Sequence, residues 1–161
     1  MAVSINVLPG VGAEILGVDI GSDLRSSELE IIKKTFAHHG LVFFRDQKIS
    51  EIGHADFAEQ FGTIDINRFF AAHPGFPQIA MVTKEADQVV NIGGGWHTDH
   101  SYDREPALGS ILVARELPPL GGDTWFANMY KAYENLSSGM KVTLEGLSAV
   151  HSAKHIFGPQ A

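Results

Sequence analysis

Two residue types that ligate divalent metals, His97 and Asp99, stand two positions apart in the stretch Gly93-Gly94-Gly95-Trp96-His97-Thr98-Asp99-His100-Ser101-Tyr102. On an extended strand, alternate residues project to the same face. His97 and Asp99 would then both reach one cation, while Thr98 and His100 point the other way. Imidazole plus carboxylate, completed by a distant second histidine, is the facial triad that leaves positions open on iron(II) for a chelating cosubstrate and oxygen. Taken alone, His-x-Asp recurs by chance in many soluble proteins, and a polar surface strand is the alternative reading.

The remaining composition narrows the chemistry. With no cysteine, thiolate metal sites, disulfides and cysteine nucleophiles are excluded, so any metal must be held by histidine and carboxylate. A net charge of −7 without a dense Lys/Arg cluster lacks the electrostatic footprint of a nucleic-acid or anionic-membrane binder. Small molecules or proteins are the expected partners. Gly93 to Gly95 carries neither the phosphate-loop pattern nor the spaced dinucleotide fingerprint. A zinc metallohydrolase reading of His97 to His100 would need a histidine where Gly95 stands. His38-His39 sits at a helix end, where an imidazole complements the dipole. His54 and His73 belong to no cluster.

The elements that must position these residues follow from periodicity. The chain has 161 residues, 44% of them hydrophobic and 19% charged, the balance of one ordinary globular domain. Ser4 to Leu8 and Ala13 to Val18 read as a hairpin or two edge strands about Pro9-Gly10. Ser27 and Glu30 form a capping-box signature for a helix carrying Leu29, Ile32 and Phe36 as far as His39-Gly40. Leu41 to Phe44 reads as a buried strand. Ser50 caps a second helix, with Ile52, Ala55, Ala58 and Phe61 on one face and Gly62 as its stop.

Beyond that point Val89 to His100, Leu108 to Ala114, Thr124 to Ala127 and Leu147 to Ser152 read as strands. A helical stretch over Met129 to Leu144 is interrupted at Ser137-Ser138-Gly139. Helices packed on an antiparallel β core is the expected α+β architecture, with nothing to divide residues 1–161 into two domains. No apolar run approaches membrane-spanning length, and the N-terminus lacks the basic region of a secretory signal, so a cytoplasmic location is expected.

From Trp96 to Asn128 the run WHTDHSYDREPALGSILVARELPPLGGDTWFAN closely resembles the taurine dioxygenase family (TauD/TfdA-like) of iron(II)/2-oxoglutarate oxygenases, which includes herbicide-cleaving and alkylsulfate-cleaving members. The segments Gly12-Ala13-Glu14-Ile15, Val42-Phe43-Phe44-Arg45-Asp46-Gln47, Phe57-Ala58-Glu59-Gln60-Phe61-Gly62 and Ala132-Tyr133-Glu134-Asn135-Leu136 match the same family in the same order. The resemblance implies a double-stranded β-helix (jelly-roll) core with flanking helices. It implies iron(II) as cofactor with 2-oxoglutarate and O2 as cosubstrates. The implied reaction is hydroxylation of a small anionic substrate of the sulfonate, sulfate ester or aryloxy acid class, with succinate and CO2 as coproducts.

By the same resemblance His97 and Asp99 match two iron ligands, and Thr124 matches the threonine that hydrogen-bonds a carboxylate of 2-oxoglutarate. Gly121-Gly122 just before it would let backbone and ligand approach closely. Asn67 stands where taurine-cleaving members present an anion-binding histidine, which argues against taurine itself. Arg68 is a candidate anion binder, and Asn91 lies near a region that lines the substrate pocket in relatives. Trp96 and Tyr102 read as wall residues that exclude water.

Family members run longer, and their second iron-binding histidine and 2-oxoglutarate-clamping arginine lie in the C-terminal part. His151 and His155 come too early for that role and read as strand-end or loop residues. The expectation is the N-terminal portion of an oxygenase jelly roll, C-terminally truncated, with two protein ligands to iron; a catalytically inactive fragment is the alternative. Relatives are often dimers or larger, so a homo-oligomer is expected.

Overall fold

A computed structural model describes residues 2–89 and 93–154. The chain groups into two compact units: Met1–Ile64 with Val113–Lys141, and Asp65–Leu112 with Val142–Ala161.

The first unit is built on a three-stranded sheet in the order β1-β2-β3. β1 (Ser4–Val7) and β2 (Ala13–Leu16) are antiparallel, with Ile5 opposite Ile15 and Val7 opposite Ala13. The expected hairpin therefore forms about the Pro9-Gly10 turn. β3 (Val42–Phe43) adds parallel to β2. It is shorter than the expected strand over Leu41 to Phe44, and those four residues are half-buried rather than buried.

α1 (Ser26–His39) links β2 to β3, the crossover that parallel pairing requires. Its start is not the Ser27/Glu30 pair. Arg25 is the N-cap residue, and its N–H donates to Glu28 Oε2 at 2.9 Å while Glu28 N–H donates to Arg25 O at 2.9 Å. Gly40, at φ 72°, closes the helix by donating to Phe36 O at 2.8 Å, a left-handed cap that favours glycine.

α2 (Glu51–Glu59) starts at Ser50, whose Oγ accepts from Gly53 N–H at 3.1 Å. Its buried residues are Ala55 and Phe57, whereas Ile52 is exposed, so the buried face differs from the one periodicity suggested. Phe57 makes edge-to-face contacts with Phe44 and Phe61. Ala13, Ile15, Ile20, Ile32, Ile49, Ala55 and Phe57 form this unit's core. Full burial of Ile15 and Ile32 contributes about 1.5–3 kcal/mol each.

α3 (Met129–Glu134) is capped by Asn128, whose Oδ1 accepts from Lys131 N–H at 3.0 Å. α4 (Ser138–Glu145) follows; the interruption falls at 135–137, earlier than the expected Ser137-Ser138-Gly139, of which Ser138 and Gly139 are the first residues of α4. In the second unit, β4 (Ala71–His73) and β5 (Phe76–Met81) form an antiparallel hairpin with a bulge at Ala72/His73. The sequence reading missed it.

The strands expected within 93–100 and over 108–114, 124–127 and 147–152 do not form; these segments are irregular. A strand exists only through its ladder, and no described residue pairs with these runs. Their apolar side chains are left largely uncovered, Leu112 at 72%, Trp125 at 76% and Val150 at 95% exposure. Among the described residues no helix is long and apolar enough to cross a membrane.

Candidate metal centre

His97 and Asp99 lie on an irregular segment of the second unit that enters a turn at Asp99-His100. The pair converges nonetheless, with His97 Nε2 3.3 Å from Asp99 Oδ1. Two ligand atoms at right angles on a first-row divalent ion, with bonds of about 2.1 Å, stand about 3 Å apart. The spacing therefore suits adjacent positions of one coordination sphere.

The histidine is oriented for this role. His97 Nδ1 lies 2.7 Å from Gly95 O, and a carbonyl only accepts, so Nδ1 carries the hydrogen. That contact occupies Nδ1 and turns Nε2, the nitrogen that could ligate a metal, toward the carboxylate. Gly93 has φ 70°, and a Cβ built there would lie 3.2 Å from His97 Cε1. The backbone passes close against the ring, and at that left-handed φ glycine avoids both the strain and the tight contact a Cβ would bring. Asp99 is also reached by Ser110 Oγ at 3.4 Å.

Beside His97 is a cleft of about 340 Å³ lined by Trp96, His97, Thr98, Ser101, Tyr102 and residues 149–152. Within it a hydrogen-bonded chain runs from Thr98 Oγ1 to Ser101 Oγ at 2.8 Å and on to His151 Nδ1 at 2.8 Å. His151 thus holds the segment that carries His97 and Asp99, a role its isolated position in the sequence did not suggest. His155 lies outside the described residues.

A second network adjoins the pair. His100 Nδ1–H donates to Asp103 Oδ2 at 2.8 Å, and Asn67 Nδ2 donates to His100 Nε2 at 3.2 Å. Asn67 Oδ1 in turn accepts from the N–H groups of Phe69 and Phe70 at 2.8 and 3.1 Å. Arg68 donates to Asp103 Oδ1 at 2.7 Å and lies over the Phe69 ring. The Asp103 carboxyl is held below its ordinary range, first by the His100 hydrogen bond and then by Arg68.

Asp65, His100 and Asp103 bring ligand-type atoms within 4.8 Å of one another, the only such group of three among the described residues. Arg68 already donates to Asp103 Oδ1 and Asn67 to His100 Nε2. No third ligand joins His97 and Asp99 among the described residues.

Asn67 and Arg68 therefore sit in the same unit as His97 and Asp99, fastened to the turn that follows Asp99. Arg68 keeps 62% of its side chain exposed, so part of its guanidinium fork still faces solvent. Asn91 lies outside the described residues. Thr124 belongs to the first unit and is exposed. It follows Gly121 and Gly122 at φ 81° and 78°, and a Cβ on Gly122 would lie 3.2 Å from Pro118 Cγ.

The pattern of the family described as "Taurine catabolism dioxygenase TauD, TfdA family" matches residues 4–160. An alkylsulfatase of Acinetobacter baylyi is 35% identical over 150 residues, covering 92% of this chain and 46% of that protein. The crystal structure of a taurine dioxygenase from Burkholderia xenovorans superposes with TM-score 0.78 at 32% identity, over 89% of this chain and 51% of that one. The crystal structure of AAD-2 in complex with Mn(II) and N-oxalylglycine gives TM-score 0.70 at 26% identity, over 89% and 50%. This chain thus spans about half the length of the relatives it matches.

Proposed function

The chain belongs to the TauD, TfdA family of dioxygenases, and from that premise we propose that it carries the iron(II)- and 2-oxoglutarate-binding half-site of an oxygenase acting on a small anionic organic substrate. The observation that carries the reading is the convergence of His97 Nε2 and Asp99 Oδ1 at 3.3 Å, with His97 Nδ1 tied to Gly95 O. His97 and Asp99 would hold the metal in a jelly-roll domain to which residues 1–161 belong. The manganese and N-oxalylglycine complex of a structural neighbour supports the same kind of centre.

Iron(II) chelated by 2-oxoglutarate supplies the oxidising power for C–H hydroxylation by O2, with succinate and CO2 as coproducts. The protein's own residues bind, orient and exclude. Thr124 contributes a hydroxyl donor to a carboxylate of 2-oxoglutarate. Trp96 and Tyr102 line the cleft beside His97, Trp96 with 72% of its surface exposed. Arg68, with Asn67 and Asn91 nearby in function, receives the anionic group of the substrate. A sulfonate, sulfate ester or aryloxy acid is the substrate class, supported by the alkylsulfatase and taurine dioxygenase relatives. A cytoplasmic location and a homo-oligomer are part of the proposal, and a monomer mass by light scattering would refute the oligomer.

Because no third ligand joins the pair among the described residues, a second reading is a chain that binds iron(II) without turning over. The two separate in one experiment. Anaerobic iron(II) titration of the chain and of Asp99→Ala reads the metal site, and succinate production under O2 reads turnover. Loss of iron binding in Asp99→Ala supports the centre, and unchanged binding in that variant removes it. Binding without succinate favours the second reading.

A further inference from the structure

We propose that His100 is a positioning residue that holds Asp99 in register with His97 by locking the left-handed turn that directly follows it. The inference rests on the reading of His97 and Asp99 as the metal pair. His100 has φ 52°, one of two non-glycine residues with positive φ among the described residues. For a residue with a Cβ that conformation costs about 1–2 kcal/mol, and it persists only where the surroundings hold it.

What holds it is visible on every side of the ring. Both ring nitrogens are used in one consistent tautomer, Nδ1–H donating to Asp103 Oδ2 and Nε2 accepting from Asn67 Nδ2. Asp103 N–H closes the turn on His100 O at 2.9 Å. The ring is packed near Phe69 and Tyr102, with centroids 6.3 and 5.6 Å away, and its side chain is only 19% exposed. Each partner is itself fixed, Asp103 by Arg68 and Asn67 by the backbone N–H groups of Phe69 and Phe70.

His100 therefore ties the turn carrying Asp99 to the segment 67–70. A left-handed residue directly after Asp99 redirects the chain there, so releasing it lets the carboxylate swing away from His97 Nε2. A second cation site at Asp65, His100 and Asp103 is the competing use of these atoms. It is disfavoured because Arg68 already places a positive charge on Asp103 and Asn67 donates to the nitrogen a metal would need.

The test measures iron(II) affinity of the full chain anaerobically by competition with a chromophoric chelator, alongside thermal melting, for His100→Ala, His100→Asn, Asn67→Ala and Asp99→Ala. His100→Ala is expected to weaken iron(II) by about 10- to 100-fold, the range for residues that support metal ligands. Asparagine tolerates the left-handed conformation and keeps a donor, so His100→Asn is expected to recover a large part of that loss at a similar melting temperature. Wild-type affinity in His100→Ala overturns the proposal, as does equal loss in the alanine and asparagine variants tracking equal loss of melting temperature. If His100→Ala does not fold, Asn67→Ala decides: several-fold weaker iron(II) supports the proposal and unchanged affinity overturns it. Wild-type affinity in Asp99→Ala instead overturns the metal centre itself, and the proposal with it.

Discussion

Replacing Gly93 with alanine tests whether the close passage of backbone against the His97 ring matters to the centre. Two penalties add at this position. The backbone at φ 70° is left-handed, where a Cβ costs about 1–2 kcal/mol. The new Cβ also meets His97 Cε1 at 3.2 Å, closer than the roughly 3.5–4.0 Å of a relaxed carbon contact. The ring cannot retreat freely, because Nδ1 is bound to Gly95 O at 2.7 Å. If about 1.4 kcal/mol must be spent to return the ring to its ligating pose, iron(II) affinity falls about tenfold. Gly95→Ala is the internal control: a Cβ there meets nothing within 4 Å and φ is not positive. Anaerobic iron(II) titration with parallel denaturant melts should show Gly93→Ala weakened about tenfold and Gly95→Ala near wild type. Equal affinities in the two variants would refute the reasoning.

Other perturbations have readouts of their own. Ile32→Ala empties a fully buried position between α1 and the sheet, and urea unfolding should show a loss of about 2–5 kcal/mol. Ser50→Ala removes the oxygen that caps Gly53 N–H, with an expected loss of about 1 kcal/mol by the same measurement. Because Asp103 titrates lower folded than unfolded, its contribution to stability is full above the ordinary carboxylate range near pH 4 and is lost as pH falls through its depressed value. Asp103→Asn should therefore flatten the acid limb of the stability curve below about pH 4; an unchanged limb would show that the His100 and Arg68 contacts do not hold in solution.

Much of the first unit was legible because its signals are local. Pro9-Gly10 marks a turn, Ser50 carries the side-chain oxygen a cap needs, and Gly40 supplies the left-handed residue that ends α1. Arg25 was not legible as a cap, because arginine has no acceptor side chain and the start of α1 is made by Glu28 reaching back to its N–H. The β4–β5 hairpin escaped because Pro77 and the bulge at Ala72/His73 break strand alternation.

At the candidate site the ligand types were readable but not the way they converge. Strand alternation was expected to bring His97 and Asp99 together and to send His100 away. A strand needs a partner that no described residue supplies, and the pair is instead brought together on an irregular segment leading into a turn. The contacts to Asn67, Asp103 and His151 cross gaps of sequence or a left-handed residue, neither of which periodicity encodes.

The central claim is that His97 and Asp99 form the start of an iron(II)/2-oxoglutarate centre. Anaerobic addition of iron(II) and then 2-oxoglutarate to the full chain, followed by visible absorption, tests it most directly. A metal-to-ligand charge-transfer band that appears with wild type and is lost in Asp99→Ala is the predicted result. A band of equal strength in Asp99→Ala, or no iron(II) binding by the wild-type chain at all, would contradict it.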